Sequence, residues 1–210
     1  MRTSIQIGLV AIVVAFYASV LHAHPHHDHS LPESLPQIAQ SHGLRAGFLH
    51  PFLGIDHLLA MVAVGLLSVQ AGGTSLWRGP VSFLTGTALG GAIGLMNLPV
   101  PGIEILIAMS LVALGLALTT KAPQQMVVLY SSFLVFGFFH GHAHGTEASS
   151  LSQATSYLVG FLLGSIILHA TGVMLGLIAM RSGRTFENYS LRISGAAVAM
   201  TGLVLIISGH

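Results

Sequence analysis

The feature that most constrains this chain is how few of its side chains carry a charge. Asp, Glu, Lys and Arg together make 6% of the 210 residues, whereas 53% are hydrophobic. About a quarter of the residues of a soluble domain are charged. So few charges cannot cover a water-facing surface of this size, so the lipid bilayer must be most of the solvent.

Three further counts narrow the class of protein. The net charge is only +1 and the Lys and Arg residues are scattered, so nothing indicates a nucleic-acid partner. Cysteine is absent, which excludes disulfides, Cys-ligated zinc and iron–sulfur clusters. The 13 histidines equal the Asp, Glu, Lys and Arg residues in number. Because histidine is a common metal ligand, this surplus indicates metal binding.

The N-terminal region is predicted to lie outside the membrane domain. Residues 1–23 have the pattern of a secretory signal peptide, with Leu21-His22-Ala23 as the cleavage site; an uncleaved anchor is the alternative. Residues 24–43 are predicted to be a His-rich periplasmic tail. After cleavage, the amine and imidazole of His24 could chelate one ion, and the alternative is a solvated linker.

Residues 44–210 are predicted to form an all-α membrane domain, a six-helix transmembrane bundle. Each of six apolar segments is close to the 20 or so residues that a helix needs to cross the bilayer. The segments lie near 44–69, 76–96, 101–119, 123–145, 153–180 and 189–207.

The basic residues orient this bundle. If the mature N-terminus is periplasmic, only Arg45 lies on the outer side, and the other loop cations are cytoplasmic, as the positive-inside rule requires. The chain is therefore predicted to be a multi-pass protein of the bacterial inner membrane with both mature termini in the periplasm. The cytoplasmic cations are Arg78, Lys121, Arg181, Arg184 and Arg192.

Glycines recur at four-residue spacing in two of the segments. Small residues at this spacing let helices approach closely in lipid, so they predict a compact bundle and indicate nothing about a substrate. They are Gly86, Gly90 and Gly94 in the second segment, and Gly160/Gly164 and Gly172/Gly176 in the fifth.

The first segment carries His50, Asp56 and His57. On a helix, His50 and His57 share one face, and Pro51 between them can kink the helix. Asp56 is predicted to lie near mid-membrane, where a carboxylate costs roughly 2.5–3.5 kcal/mol to insert. Such a cost usually has a functional reason, so these residues are candidate metal ligands.

The fourth segment carries a second constellation. His140, His144 and Glu147 follow an i, i+4, i+7 pattern and form one stripe, so one helix could grip one metal ion. His142 points away from this stripe. A proton relay of histidines and acids without a metal, or interhelical hydrogen bonding, is the alternative.

Two more residues are candidate ligands. His169 in the fifth segment is either an interhelical hydrogen-bond partner or a ligand at the inner exit. Glu104 opens the third segment and is either an ordinary acid at a helix start, a ligand at the outer face or a charge partner for Arg45. Ligands that are mainly imidazoles with carboxylates leave Ni²⁺, Co²⁺ and Zn²⁺ as the candidate cations.

Two strings in the chain resemble the two signatures of the HupE/UreJ family, one string to each signature. They are His50-Pro51-x-x-Gly54-x-Asp56-His57 and Phe139-His140-Gly141-x-Ala143-His144-Gly145-x-Glu147. Members of this family accompany hydrogenase and urease systems and are regarded as nickel or cobalt permeases. The resemblance implies metal handling by the histidines and acids of both strings, and partners among hydrogenase or urease maturation proteins. Glu104 and His169 lie where similar sequences also tend to have Glu and His.

Taken together, these patterns predict transport and no enzyme activity. Segments one and four carry the motifs and would be counterparts in a 3+3 inverted repeat. The ion would pass from the tail and Glu104 to the fourth-segment stripe, then to the deeper first-segment site, with no resident cofactor. The chain contains no ATP-binding fingerprint, which favours a secondary carrier or facilitator. An intramembrane zinc hydrolase and a metal-binding accessory or sensor protein are the rival interpretations.

Overall fold

In the computed structural model, residues 43–120, 125–150 and 152–209 are described. This part of the chain contains seven α-helices and no strand, which agrees with the all-α prediction. The predicted signal peptide and nearly all of the His-rich tail, including His24, lie outside the described residues. The helices are α1 (Gly43–Leu53), α2 (Ile55–Ala71), α3 (Ser75–Gly94), α4 (Ile103–Thr120), α5 (Met126–Ala148), α6 (Ala154–Arg181) and α7 (Arg184–Ser208).

The first predicted segment is two helices rather than one. α1 and α2 meet at Gly54 with a bend of 76°, and Gly54 itself has extended backbone angles (φ −82°, ψ 118°). A Cβ at this position would lie 2.7 Å from Nδ1 of His57 and 3.0 Å from Oδ1 of Asp56. The break therefore depends on a residue without a side chain, packed directly against two of the candidate ligands.

Four of the described helices are long and apolar enough to cross a membrane by themselves: α4, α5, α6 and Thr185–Ser208 within α7. The bent α1–α2 pair makes a fifth candidate span. α3 has the length of a span but not the hydropathy, because five of its 20 residues are glycine and four are serine or threonine. The six predicted segments thus correspond to five candidate spans and one glycine-rich helix.

The helices associate mainly in three sets. α3 lies along α5, α6 lies along both α1 and α2, and α4 lies along α7. α2 occupies the centre and also touches α3, α4 and α7. Its residues Met61, Val64 and Leu67 are almost fully buried, so α2 forms much of the hydrophobic core.

Reciprocal glycine contacts hold α3 against α5. A Cβ on Gly86 would overlap the carbonyl oxygen of Leu134, and a Cβ on Gly137 would overlap that of Phe83. The same arrangement recurs at the next turns toward the C-terminal ends of both helices. The two backbones are therefore in direct contact, as the four-residue spacing predicts.

Reciprocal glycine contacts also hold α6 against α1 and α2. A Cβ on Gly160 would overlap the carbonyl oxygen of Leu44, and a Cβ on Gly47 would overlap that of Tyr157. Beyond the break, Gly172 meets the backbone of Val62, and Gly65 meets the backbone of His169. α6 thus bridges the bend and holds α1 and α2 in one unit.

Candidate metal centre

Three histidines from three helices converge near the break. His50 of α1, His57 of α2 and His144 of α5 each offer a ring nitrogen, and the three atoms all lie within 4.8 Å of one another. His57 and His144 are buried and His50 is partly buried. Within residues 43–120, 125–150 and 152–209, no other group of three or more His, Asp or Glu side chains has this spacing. We call it the three-histidine cluster.

Each of the two buried rings is oriented by a carboxylate. Asp56 Oδ1 lies 2.5 Å from Nδ1 of His57, and Glu147 Oε2 lies 2.9 Å from Nδ1 of His144. An Nδ1–H that donates to a carboxylate leaves the lone pair on Nε2, the arrangement common to metal-bound histidines. The two Nε2 atoms contact each other directly. In this tautomer both lone pairs are directed toward the space between the two rings, where a proton or a cation could be bound.

Aromatic rings cover one side of the cluster. The ring centroid of Phe161 lies 4.6 Å from that of His144 and 6.0 Å from those of His50 and His57. The Tyr157 ring lies 5.9 Å from His50. These rings, both from α6, cover this side of the cluster with aromatic surface.

The structure brings together the two constellations that the sequence predicts at successive depths. It also differs from the single-helix stripe predicted in the fourth segment. Glu147 accepts a hydrogen bond from His144 instead of converging with it on a common point, and His140 is not part of the cluster. The Nδ1 of His140 lies 2.8 Å from the carbonyl oxygen of Phe136, and its ring lies 5.2 Å from that of His57.

The remaining candidates lie elsewhere. His169 is buried in α6, with Nδ1 2.7 Å from the Ser165 carbonyl oxygen. Glu104 lies in the first turn of α4 and is exposed. His142 is buried beside Phe138 rather than in the cluster.

Phe161 was missed by sequence reasoning. An aromatic residue in an apolar span resembles any other core residue, so no local signal distinguishes it. The spacing in the sequence does indicate that each acid pairs with a histidine, because Asp56 adjoins His57 and Glu147 is three residues from His144. The motifs predict these acids as direct ligands, whereas their positions fit an orienting role.

The fold and the site define a helical membrane protein with a buried cluster of oriented histidines suited to a transition-metal ion. The chain belongs to the HupE / UreJ protein family, whose model matches residues 11–205. It is 38% identical over 182 residues to Protein HupE of Rhizobium leguminosarum bv. viciae, covering 83% of this chain and 93% of that protein. No solved structure matches the chain.

Proposed function

We propose that this protein carries a divalent transition metal, nickel or cobalt, across the bacterial inner membrane as a secondary carrier or facilitator. The three-histidine cluster binds the ion in transit. The observation that carries this proposal is the contact between His57 of α2 and His144 of α5. A carboxylate orients each ring, and the two Nε2 atoms face each other. The HupE / UreJ membership and the name of the rhizobial relative support the same assignment.

The donor set favours this class of cargo over others. Neutral imidazole suits nickel, cobalt and zinc, whereas magnesium and calcium require oxygen ligands. Three nitrogens leave coordination positions for water, so the ion is held without being enclosed. A permeating ion needs this balance, because its site must replace hydration water and still release the ion.

The wider arrangement supports six spans and a 3+3 inverted repeat. The α3–α5 contact and the α6–α1/α2 contact share one reciprocal glycine pattern, as expected if spans one, two and three correspond to spans four, five and six. The low hydropathy of α3 reflects the glycine face that packs on α5, while its exposed residues include the apolar Trp77, Val81, Leu89 and Ile93. In this topology the mature N- and C-termini are periplasmic.

The natural absence of cysteine allows a direct test of this topology. Thr74 and Met96 flank α3 and are both exposed. In intact spheroplasts, a membrane-impermeant thiol reagent should label a Met96→Cys protein and spare a Thr74→Cys protein until the cells are lysed. Labelling of both variants from the same side would remove α3 from the spans and refute the six-span arrangement.

On this topology the cluster is close to the outer face. His50 lies seven residues after the start of α1 and His144 lies four residues before the end of α5, so both are about 6–10 Å along a helix from the outer ends. Glu104, at the start of α4, belongs to the same end of the bundle. We assign Glu104 and the His-rich tail, with His24, to collecting ions there.

Uptake of Ni²⁺, Co²⁺ and Zn²⁺ into proteoliposomes tests the function. The wild-type protein should accumulate Ni²⁺ or Co²⁺ well above empty liposomes, with saturation and mutual competition. Binding without any uptake would instead favour a metal-binding accessory protein of hydrogenase or urease maturation.

One observation favours a second candidate function. Three histidines that leave a position open for water are also the ligand set of some catalytic zinc sites, and Asp56 or Glu147 could then act in proton transfer. An intramembrane zinc hydrolase would retain one zinc ion per chain through extensive dialysis. A carrier would lose its ion under the same treatment, so metal content after dialysis separates the two.

Replacing Asp56 should weaken metal binding without removing a ligand. Loss of an orienting partner typically costs 10–100-fold in metal affinity, so we expect an effect of about this size for Asp56→Ala. Asp56→Asn should cost less, because its amide oxygen can still accept from Nδ1 of His57. Calorimetric titration of the purified proteins with Ni²⁺ measures both; unchanged affinity in Asp56→Ala would contradict the orienting role.

Acidification of the outer solution should reduce uptake. Only neutral imidazole binds a metal ion, and histidine ordinarily becomes protonated near pH 6.5. We expect the initial rate of Ni²⁺ uptake to fall several-fold between external pH 7.5 and 5.5, with the internal pH held constant. A rate that is the same at both pH values would argue against imidazole ligation.

A further inference from the structure

Three buried histidines each hold a ring nitrogen without a hydrogen-bond partner among the described residues. In His142 this atom is Nδ1, and the ring lies beside Phe138. The other two, His140 and His169, lie below the cluster. His140 and His169 are 0% and 1% exposed, and the Nε2 atom of each has no partner among the described residues. In both rings, Nδ1 donates to the carbonyl oxygen four residues earlier in the same helix, at 2.8 and 2.7 Å. Each Nε2 therefore carries a free lone pair in the protein interior.

Such an arrangement is unfavourable unless something binds there. A buried acceptor without a partner costs about 1–3 kcal/mol, and most buried polar atoms in proteins have a partner. Packing alone would be served better by leucine or phenylalanine at either position. Two imidazoles in the same tautomer, each with Nε2 directed away from its own helix backbone, are suited to a cation.

The two histidines follow the cluster toward the opposite face of the bundle. The His140 ring lies 5.2 Å from that of His57, and one turn before His144 along α5. The backbone of His169 meets Gly65, which is eight residues, or about 12 Å, beyond His57 along α2. Phe83 links the pair, because its ring lies 5.4 Å from that of His140 and 5.1 Å from that of His169.

We propose that His140 and His169 form a second, inner binding site for the divalent transition metal that the three-histidine cluster delivers. This inference rests on the proposed function for the source of its ion. The two Nε2 atoms are the protein ligands and water completes the coordination. Phe83 covers both rings and separates the inner site from bulk water. A site with two protein ligands binds more weakly than one with three, so the ion moves inward and is then released.

Nickel stoichiometry of the purified, detergent-solubilised protein tests this site independently of transport. Wild-type protein should bind two Ni²⁺ ions per chain, one of them more weakly. His169→Leu and His140→Leu should each bind one ion, with the tight affinity unchanged within about two-fold, and should lower the uptake rate at least ten-fold. Retention of the tight ion shows that each variant is folded. His142→Leu, a change at another buried histidine of α5, should still bind two.

The outcomes separate this inference from the proposed function. One ion per wild-type chain, lost in His144→Ala and unaffected by His140→Leu or His169→Leu, would overturn the inner site and leave the carrier assignment standing. Loss of both ions in either leucine variant would assign these histidines to packing and also overturn it. Two ions without any uptake would support the inner site and refute the carrier function.

Discussion

Replacing His144 with alanine should reduce Ni²⁺ uptake into proteoliposomes to the level of empty liposomes, a loss of roughly 100-fold or more. Removing an orienting partner alone typically costs 10–100-fold in affinity, and loss of a direct ligand should cost at least as much. His144 is also the only member of the cluster contributed by α5. Without His144, only His50 of α1 and His57 of α2 remain, and no histidine of α5 completes the cluster.

The matched control for this experiment is His142→Ala. His142 is two residues away in the same helix and is equally buried, but its ring packs beside Phe138 and not in the cluster. The His142→Ala protein should therefore retain uptake within about two- to three-fold of wild type. Equal uptake by His144→Ala and wild type would remove the cluster from the transport path, and equal loss in both variants would point to a general defect in folding.

The second large effect concerns the contact between α3 and α5. Gly90→Ala should destabilise the protein by about 1–3 kcal/mol, because the added Cβ would overlap the carbonyl oxygen of Phe138 and the helices would have to separate. The neighbouring Gly91→Ala adds the same methyl group to the same helix. There the nearest atoms are the flexible ends of Leu158, at 3.2 and 3.3 Å.

The pair of variants separates packing from helix propensity. Both substitutions gain up to about 1 kcal/mol of intrinsic helix propensity, so only the tertiary contact distinguishes them. Gly91→Ala should unfold at or near the wild-type temperature, as followed by circular dichroism in detergent, whereas Gly90→Ala should unfold at a clearly lower temperature. Equal midpoints would show that α3 and α5 are not in backbone contact at this position.

Composition and local pattern were sufficient for the class of protein. A chain with 6% charged residues can be solvated only by lipid, and this conclusion needs no knowledge of how the helices meet. The apolar segments and the two histidine motifs were visible for the same reason, because each is a property of a few neighbouring residues. The four-residue glycine spacing likewise predicted close helix contact, and such contact is present between α3 and α5.

Spacing along one chain could not identify the members of the cluster. His57 and His144 are separated by 87 residues, and whether they meet depends on which helices pack together. Glycine spacing permits a close approach without specifying the partner helix. The break at Gly54 was also decided in three dimensions: α6 packs on both α1 and α2 across the bend, and no bend of this size is implied by the motif itself.

The sequence by itself therefore determined the solvent, the helical class and the residue types available for metal binding, because these follow from the chemistry of single side chains and short patterns. Only the tertiary structure decided that ring nitrogens of His50, His57 and His144 converge, and that Asp56 and Glu147 lie against the Nδ1 atoms of His57 and His144. It also decided that His140 lies apart, with its Nε2 buried and without a hydrogen-bond partner among the described residues. The physical reason is that a metal site depends on where lone pairs point. That direction is set by helix pairing and by hydrogen bonds that form only when the bundle has assembled.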